Sequence, residues 1–113
     1  MTTPGQWVGT VDYIAPEQLR GEAVTGLADI YALGGVLLYA LTGEVPYPLE
    51  THLAKLFAHL DAATPVASRI DRGLAAFDPV IARAMAKRPD DRFAAAADLA
   101  HAATRAAQAA QAV

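Results

Sequence analysis

The sequence predicts an all-α domain, and three observations carry that expectation. Apolar residues recur at helical spacing in four separate segments. Those segments are punctuated by loops drawing on 8 Gly and 7 Pro among 113 residues. No β-hairpin signal and no tandem repeat interrupts them. A chain of this length forms one small domain. Its hydrophobic share of 54% is inflated by 27 alanines, so the larger apolar side chains that build a core are fewer than the percentage suggests.

From Thr2 to Gln18 the chain mixes Pro4, Gly5, Gly9 and Pro16 with Trp7, Val8, Tyr13 and Ile14. That composition predicts a long irregular loop, followed by a short helical turn near Glu17 to Arg20. The first long helix is predicted over Leu27 to Thr42, where Ile30, Leu33, Leu37, Leu38 and Leu41 recur and most other positions are apolar. Such a helix is expected to be buried on nearly all sides. It is not a membrane span, because about 20 apolar residues are needed and this run contains Asp29 and Gly34-Gly35. Pro46 and Pro48 break the chain, and Leu53, Leu56, Phe57 and Leu60 then mark a one-faced helix with Thr51 as its cap. A third helix is predicted from Asp78, as N-cap, and Pro79, carrying Val80, Ile81, Ala84 and Met85 inward until Pro89 ends it. A fourth runs from about Phe93 through an alanine-rich stretch containing Leu99. Fraying is expected from Ala106 onward, giving a domain over 1–108 and a loose tail over 109–113.

Composition excludes several chemistries. Without cysteine there is no disulfide, no thiolate zinc site and no cysteine nucleophile. A net charge of −3 with no Lys/Arg cluster argues against nucleic-acid binding. Met1 to Trp7 lack the basic start and apolar stretch of a signal peptide, so a cytoplasmic protein is expected. His52, His59 and His101 offer no pair four apart and no completing carboxylate cluster, and read as exposed or half-buried helix residues rather than metal ligands. Asp90 and Asp91, beside Pro89 and Arg92, read as turn and capping groups.

The informative stretch is Gly9-Thr10-Val11-Asp12-Tyr13-Ile14-Ala15-Pro16-Glu17. It resembles the end of the activation segment of protein kinases, which closes on Ala-Pro-Glu. The match continues in order. Asp29 in Ala28-Asp29-Ile30-Tyr31-Ala32-Leu33-Gly34 resembles the aspartate of the family's helix F, and Leu41 to Tyr47 the exit from that helix. Pro89-Asp90-Asp91-Arg92-Phe93 is similar to the arginine motif before the last helix. The whole chain resembles the C-terminal half of a bacterial-type serine/threonine kinase domain. The implied architecture is a partial C-lobe with about four main helices behind a long activation-segment loop. Gly35, where relatives often carry a larger residue, and Ala28, where serine is common, depart from the pattern without touching catalysis.

The resemblance implies roles for particular residues. Glu17 and Arg92 would form a buried ion pair tying the activation segment, with Ala15 and Pro16, to the last helices; the planar guanidinium suits bidentate carboxylate binding. Asp29 has two readings: it serves the amides and dipole at the start of its helix, or it bonds the backbone of the family's catalytic loop. Thr10 matches the threonine that helps present a hydroxyl substrate, and Trp7, Val8 and Gly9 would line the pocket for the residue after the phosphoacceptor. Thr2 and Thr3 fall where activation-loop phosphothreonines sit; each phosphate would add roughly −1.5 to −2 charges.

Phosphoryl transfer is mostly positioning and charge stabilisation, and the positioning parts are missing from the sequence. It contains no Gly-rich loop, strand lysine, His-Arg-Asp loop or Asp-Phe-Gly ligand, and Gly34-Gly35 lies inside a helix. No residue is assigned as catalytic, and ATP and magnesium belong to the complete family domain rather than to this chain. The leading expectation is therefore a serine/threonine kinase fragment, inactive alone, whose partners are a protein substrate or the remaining kinase half. Elements preceding this chain cover the helix Leu27 to Thr42 in a complete kinase, so its apolar side chains are expected to be exposed and prone to self-association. The alternative is a non-catalytic protein-binding module using Trp7 to Thr10 and the helix from Thr51 to Leu60; a third reading is a plain helical structural protein.

Overall fold

The computed structural model describes residues 11–111. Five α-helices follow one another: α1 (Pro16–Arg20), α2 (Leu27–Thr42), α3 (His52–Asp61), α4 (Asp78–Ala84) and α5 (Ala96–Gln111). Short 3-10 turns at Ala67–Arg69, Arg72–Phe77 and Pro89–Asp91 connect them, and residues 11–13 are also helical. Among the described residues there is no strand.

The boundaries have local causes. Gly43 ends α2 at φ 77, a left-handed cap whose N–H donates to the Tyr39 carbonyl at 2.7 Å. Thr51 caps α3 by accepting from the Ala54 N–H at 3.0 Å. Where sequence reading places the N-cap of α4 at Asp78, the structure turns that carboxylate elsewhere. Its Oδ1 accepts from the Ser68 N–H at 3.1 Å, fastening the turn before the helix. The helix also stops at Ala84, five residues short of Pro89, because the following segment turns back to wrap Arg92. Phe93 likewise lies outside α5, buried ahead of a helix that begins at Ala96.

Two apolar clusters form the core. Tyr31, Leu38, Ile81 and Met85 centre the first, and Ile30, Phe77, Val80, Phe93 and Leu99 the second, with Leu37 and Leu74 against both. The Gly34-Gly35 pair makes this packing possible. A Cβ on Gly34 would sit 2.7 Å from the Ala84 Cβ, and one on Gly35 2.9 Å from the Tyr13 ring. One glycine lets α4 approach and the other seats Tyr13.

Three further expectations from the sequence need correction. On α3 the apolar stripe does not all face inward: Leu53 and Phe57 are 63% and 57% exposed, and Ala58 and His59 are the buried residues. Helix α2 is not buried on nearly all sides: Leu33, Val36 and Tyr39 are 43%, 46% and 49% exposed, on the side that also carries Asp29. Helix α5 continues to Gln111 where fraying was expected, because its alanines permit close approach: Ala106 is buried and Ala110 packs on the second cluster.

Candidate functional site

The segment from Val11 to Glu17 is held against the helices at three points. Asp12, buried, accepts from the Lys55 ammonium of α3 at 2.7 Å. Tyr13 lies on Gly35 of α2. Ala15 and Pro16 are buried, and the Ala15 N–H donates to the Gln18 side chain at 2.9 Å, which starts α1.

Glu17, the next residue, anchors the site. Its carboxylate is 2% exposed and meets Arg92, 3% exposed, in a two-pronged pair: Nη1 donates to Oε2 at 2.7 Å and Nη2 to Oε1 at 2.8 Å. The other three N–H groups of Arg92 reach the carbonyls of Leu27 at 2.9 Å, Ala86 at 2.8 Å and Lys87 at 3.3 Å. All five donors of the guanidinium are thus used. Its carbon lies 5.0 Å from the centre of the Tyr31 ring. Burial alone would raise the Glu17 carboxyl, but the Arg92 hydrogen bonds and charge outweigh it and hold the group below its ordinary value.

A second polar network was not legible in the sequence. His59, expected to be an exposed or half-buried helix residue, is 0% exposed. Its Nδ1 is 2.7 Å from the Tyr31 hydroxyl, and its ring makes an edge contact with Tyr47. Desolvation, with the nearby Lys87 charge second, pulls the imidazole down to about 4, so it is neutral near pH 7. Lys87 donates to the carbonyls of Ala58 and His59, at 3.1 and 2.9 Å, and to the Tyr47 hydroxyl at 3.0 Å. It thereby satisfies carbonyls at the C-terminal end of α3. Tyr31 joins the two networks, with Arg92 over its ring and His59 at its hydroxyl. The only sequence signal was the histidine's place beside the apolar positions Leu56 and Leu60.

Ala15, Pro16, Glu17 and Arg92 are therefore assembled at one place, and Asp29 is not among them. Its carboxylate is exposed in the first turn of α2, at the rim of a cleft of about 740 Å³ that Leu33, Asp90 and Arg92 also line. Gly26 is the N-cap of that helix, and Asp29 is the acidic residue of its first turn. Trp7, Val8, Gly9 and Thr10, together with Thr2 and Thr3, lie outside the described residues. Among the described residues no three His, Cys, Asp or Glu side chains gather where an ion could bind. No described helix is long and apolar enough to cross a membrane.

The protein kinase domain family matches residues 2–103 of this chain. The serine/threonine-protein kinase PknH of Mycobacterium bovis is 47% identical over 104 residues, covering 91% of this chain and 17% of the relative. PknD of Mycobacterium tuberculosis is 46% identical over 105 residues, covering 91% and 16%. The crystal structure of the Mycobacterium tuberculosis PknI kinase domain superposes with a TM-score of 0.65 at 32% identity, over 83% of this chain and 34% of that one. The chain thus spans about a sixth of the curated relatives' length.

Proposed function

This chain belongs to the protein kinase domain family, and from that premise we propose that it supplies the substrate-side loop and structural base of a serine/threonine kinase and transfers no phosphoryl group by itself. It is a partial kinase domain, all-helical over its described residues. The observation that carries the proposal is the open face of α2: the Asp29 carboxylate and the apolar side chains of Leu33, Val36 and Tyr39 point away from this chain's own core. A helix with polar and apolar groups aligned on an uncovered face is built to receive more protein. In the family that cover includes the catalytic loop, whose backbone the Asp29 carboxylate would bond.

The substrate side rests on residues 7–10. Thr10 would align a serine or threonine hydroxyl, Trp7, Val8 and Gly9 would receive the following residue, and Thr2 and Thr3 would accept regulatory phosphates. The Asp12–Lys55 pair, Tyr13 on Gly35 and the Glu17–Arg92 pair fix the chain immediately after those residues, so its position is set by α2, α3 and Arg92. ATP and magnesium would be held by elements of the complete family domain; among the described residues no cluster of three His, Cys, Asp or Glu side chains gathers for an ion. We place the protein in the cytoplasm, with protein substrates and the remaining kinase elements as partners.

The test is a titration of this chain with a fluorescent ATP analogue and magnesium, followed by a phosphoryl-transfer assay on a threonine peptide. Neither saturable binding nor transfer is expected; saturable binding with transfer would refute the proposal. A non-catalytic docking role has one observation in its favour: Leu53 and Phe57, one turn apart on α3, are 63% and 57% exposed. Peptide binding without nucleotide binding would identify that role.

A further inference from the structure

We infer that the slot between the α2–α3 connection and the chain following α3 is a docking site for a peptide segment of a protein partner, with a bulky apolar anchor flanked by one acidic and one basic residue. The slot has a volume of about 460 Å³. Leu38 and Tyr47, both buried, contribute to its lining, and Leu49, Val66 and Ile70 join them while remaining 45%, 38% and 47% exposed. Among the described residues, one third of the exposed large apolar side chains therefore converge on one concavity. Scattered exposed apolar residues are ordinary, but a concave group of them marks a binding surface.

This surface is separate from the uncovered face of α2. At 100° per residue, Leu38 lies 140° around the helix from Leu33, 160° from Val36 and 100° from Tyr39, so cover centred on Leu33 and Val36 leaves the slot open. The site also requires neither nucleotide nor phosphoryl transfer, and it stands whether or not the kinase reading of residues 7–10 holds.

The chemistry of the walls selects the occupant. Pro46, Pro48 and Pro65 bring no N–H to the slot, and the Leu49 N–H is already given to the Tyr47 carbonyl at 2.8 Å. The prolines break any regular ladder of donors on both walls, which favours anchoring by side-chain burial over strand addition. Two charged side chains also line the slot, Glu44 and Arg69, and neither forms an ion pair among the described residues. The Arg69 fork matches a carboxylate and Glu44 matches an ammonium or guanidinium. A segment with one charge of each sign around its anchor complements both.

Three labelled peptides test this by fluorescence polarisation on the full chain: Gly-Lys-Phe-Glu-Gly, its all-acidic form Gly-Glu-Phe-Glu-Gly, and its all-basic form Gly-Lys-Phe-Lys-Gly. The mixed peptide is expected to bind about fivefold tighter than either other, the scale of exposed charge pairs. Arg69→Glu turns the lining doubly acidic and should shift the preference to the all-basic peptide; Ile70→Ser should weaken all three. Methyl NMR should show shifts at Leu49, Val66 and Ile70. Equal binding of the three peptides, no binding up to millimolar concentration, an unchanged preference in Arg69→Glu, or shifts centred on Leu33 and Val36 would each overturn the inference.

Discussion

Replacing Arg92 by Ala should be close to disabling for the fold, and the structure sets the scale. The substitution leaves the Glu17 carboxylate 2% exposed with no cation beside it. It also removes the donors that now serve the carbonyls of Leu27, Ala86 and Lys87. Breaking a buried pair from one side costs about 3–5 kcal/mol, against a total stability of about 5–15 kcal/mol for a domain. Near 100 residues this corresponds to a fall in Tm of about 15–30 °C. Arg92→Lys keeps a charge but cannot span both carboxylate oxygens and three carbonyls, so it should recover only part of the loss. Urea unfolding followed by circular dichroism gives the numbers, and the double variant Glu17→Gln, Arg92→Ala should be less damaged than Arg92→Ala alone because no unpaired charge stays buried. A loss below about 1 kcal/mol for Arg92→Ala, or wild-type stability in Arg92→Lys, would refute the reasoning. The pair has a pH signature too. Because Glu17 titrates below its ordinary 4.5 in the folded chain, its contribution is complete above that value and is lost as pH falls further.

Other substitutions separate other terms. His59 falls from 6.5 to about 4 on folding, so the unfolded chain binds the extra proton between those values and stability should drop on acidification from pH 6.5 toward 4, by up to about 3 kcal/mol; His59→Phe should flatten that slope in urea midpoints at pH 7 and pH 5. Gly34→Ala gains about 1 kcal/mol of helix propensity but places a methyl 2.7 Å from the Ala84 Cβ, and overpacking of about 1–3 kcal/mol should win, read as a lower Tm. Lys87→Met removes three hydrogen bonds from the end of α3 and the Tyr47 hydroxyl, and hydrogen exchange at the last amides of α3 should accelerate relative to those of α2. Leu33→Gln with Val36→Gln should reduce dye binding and self-association while the helical signal stays constant.

The elements were legible where local rules decide them. Periodicity located α2 and α3, Thr51 announced its cap, and the Ala-Pro-Glu and Asp-Arg motifs named the residues that meet as Glu17 and Arg92. Legibility failed where a side chain answers to a distant partner. Asp78 looks like an N-cap because Pro79 follows it, yet its carboxylate serves Ser68, ten residues upstream. His59 sits on a helix whose apolar Leu53 and Phe57 face water instead, and the approach of Tyr31 and Tyr47 makes its position interior. The uncovered side of α2 was misjudged by periodicity alone, though the kinase resemblance anticipated its exposure: hydropathy reports which residues avoid water in some assembly, not whether this chain supplies the cover.

That distinction bears on what the chain can do. The buried polar groups of the base are nearly all satisfied internally: Arg92 uses all five donors, and Asp12 has Lys55. The base should therefore keep one geometry without outside help, because each of its charged groups would be costly to unpair. The α2 face has no such closure, with Asp29 exposed and three large apolar side chains about half in water. A rigid base with an open face behaves as a platform. Whatever covers α2 gains apolar burial without distorting the Glu17–Arg92 anchor, so association should raise the unfolding midpoint of the whole chain while leaving the Arg92→Ala penalty unchanged. If cover instead altered that penalty, Leu27 and Tyr31, which Arg92 contacts from the other side of α2, would be transmitting the change, and the anchor and the α2 face would be one coupled unit.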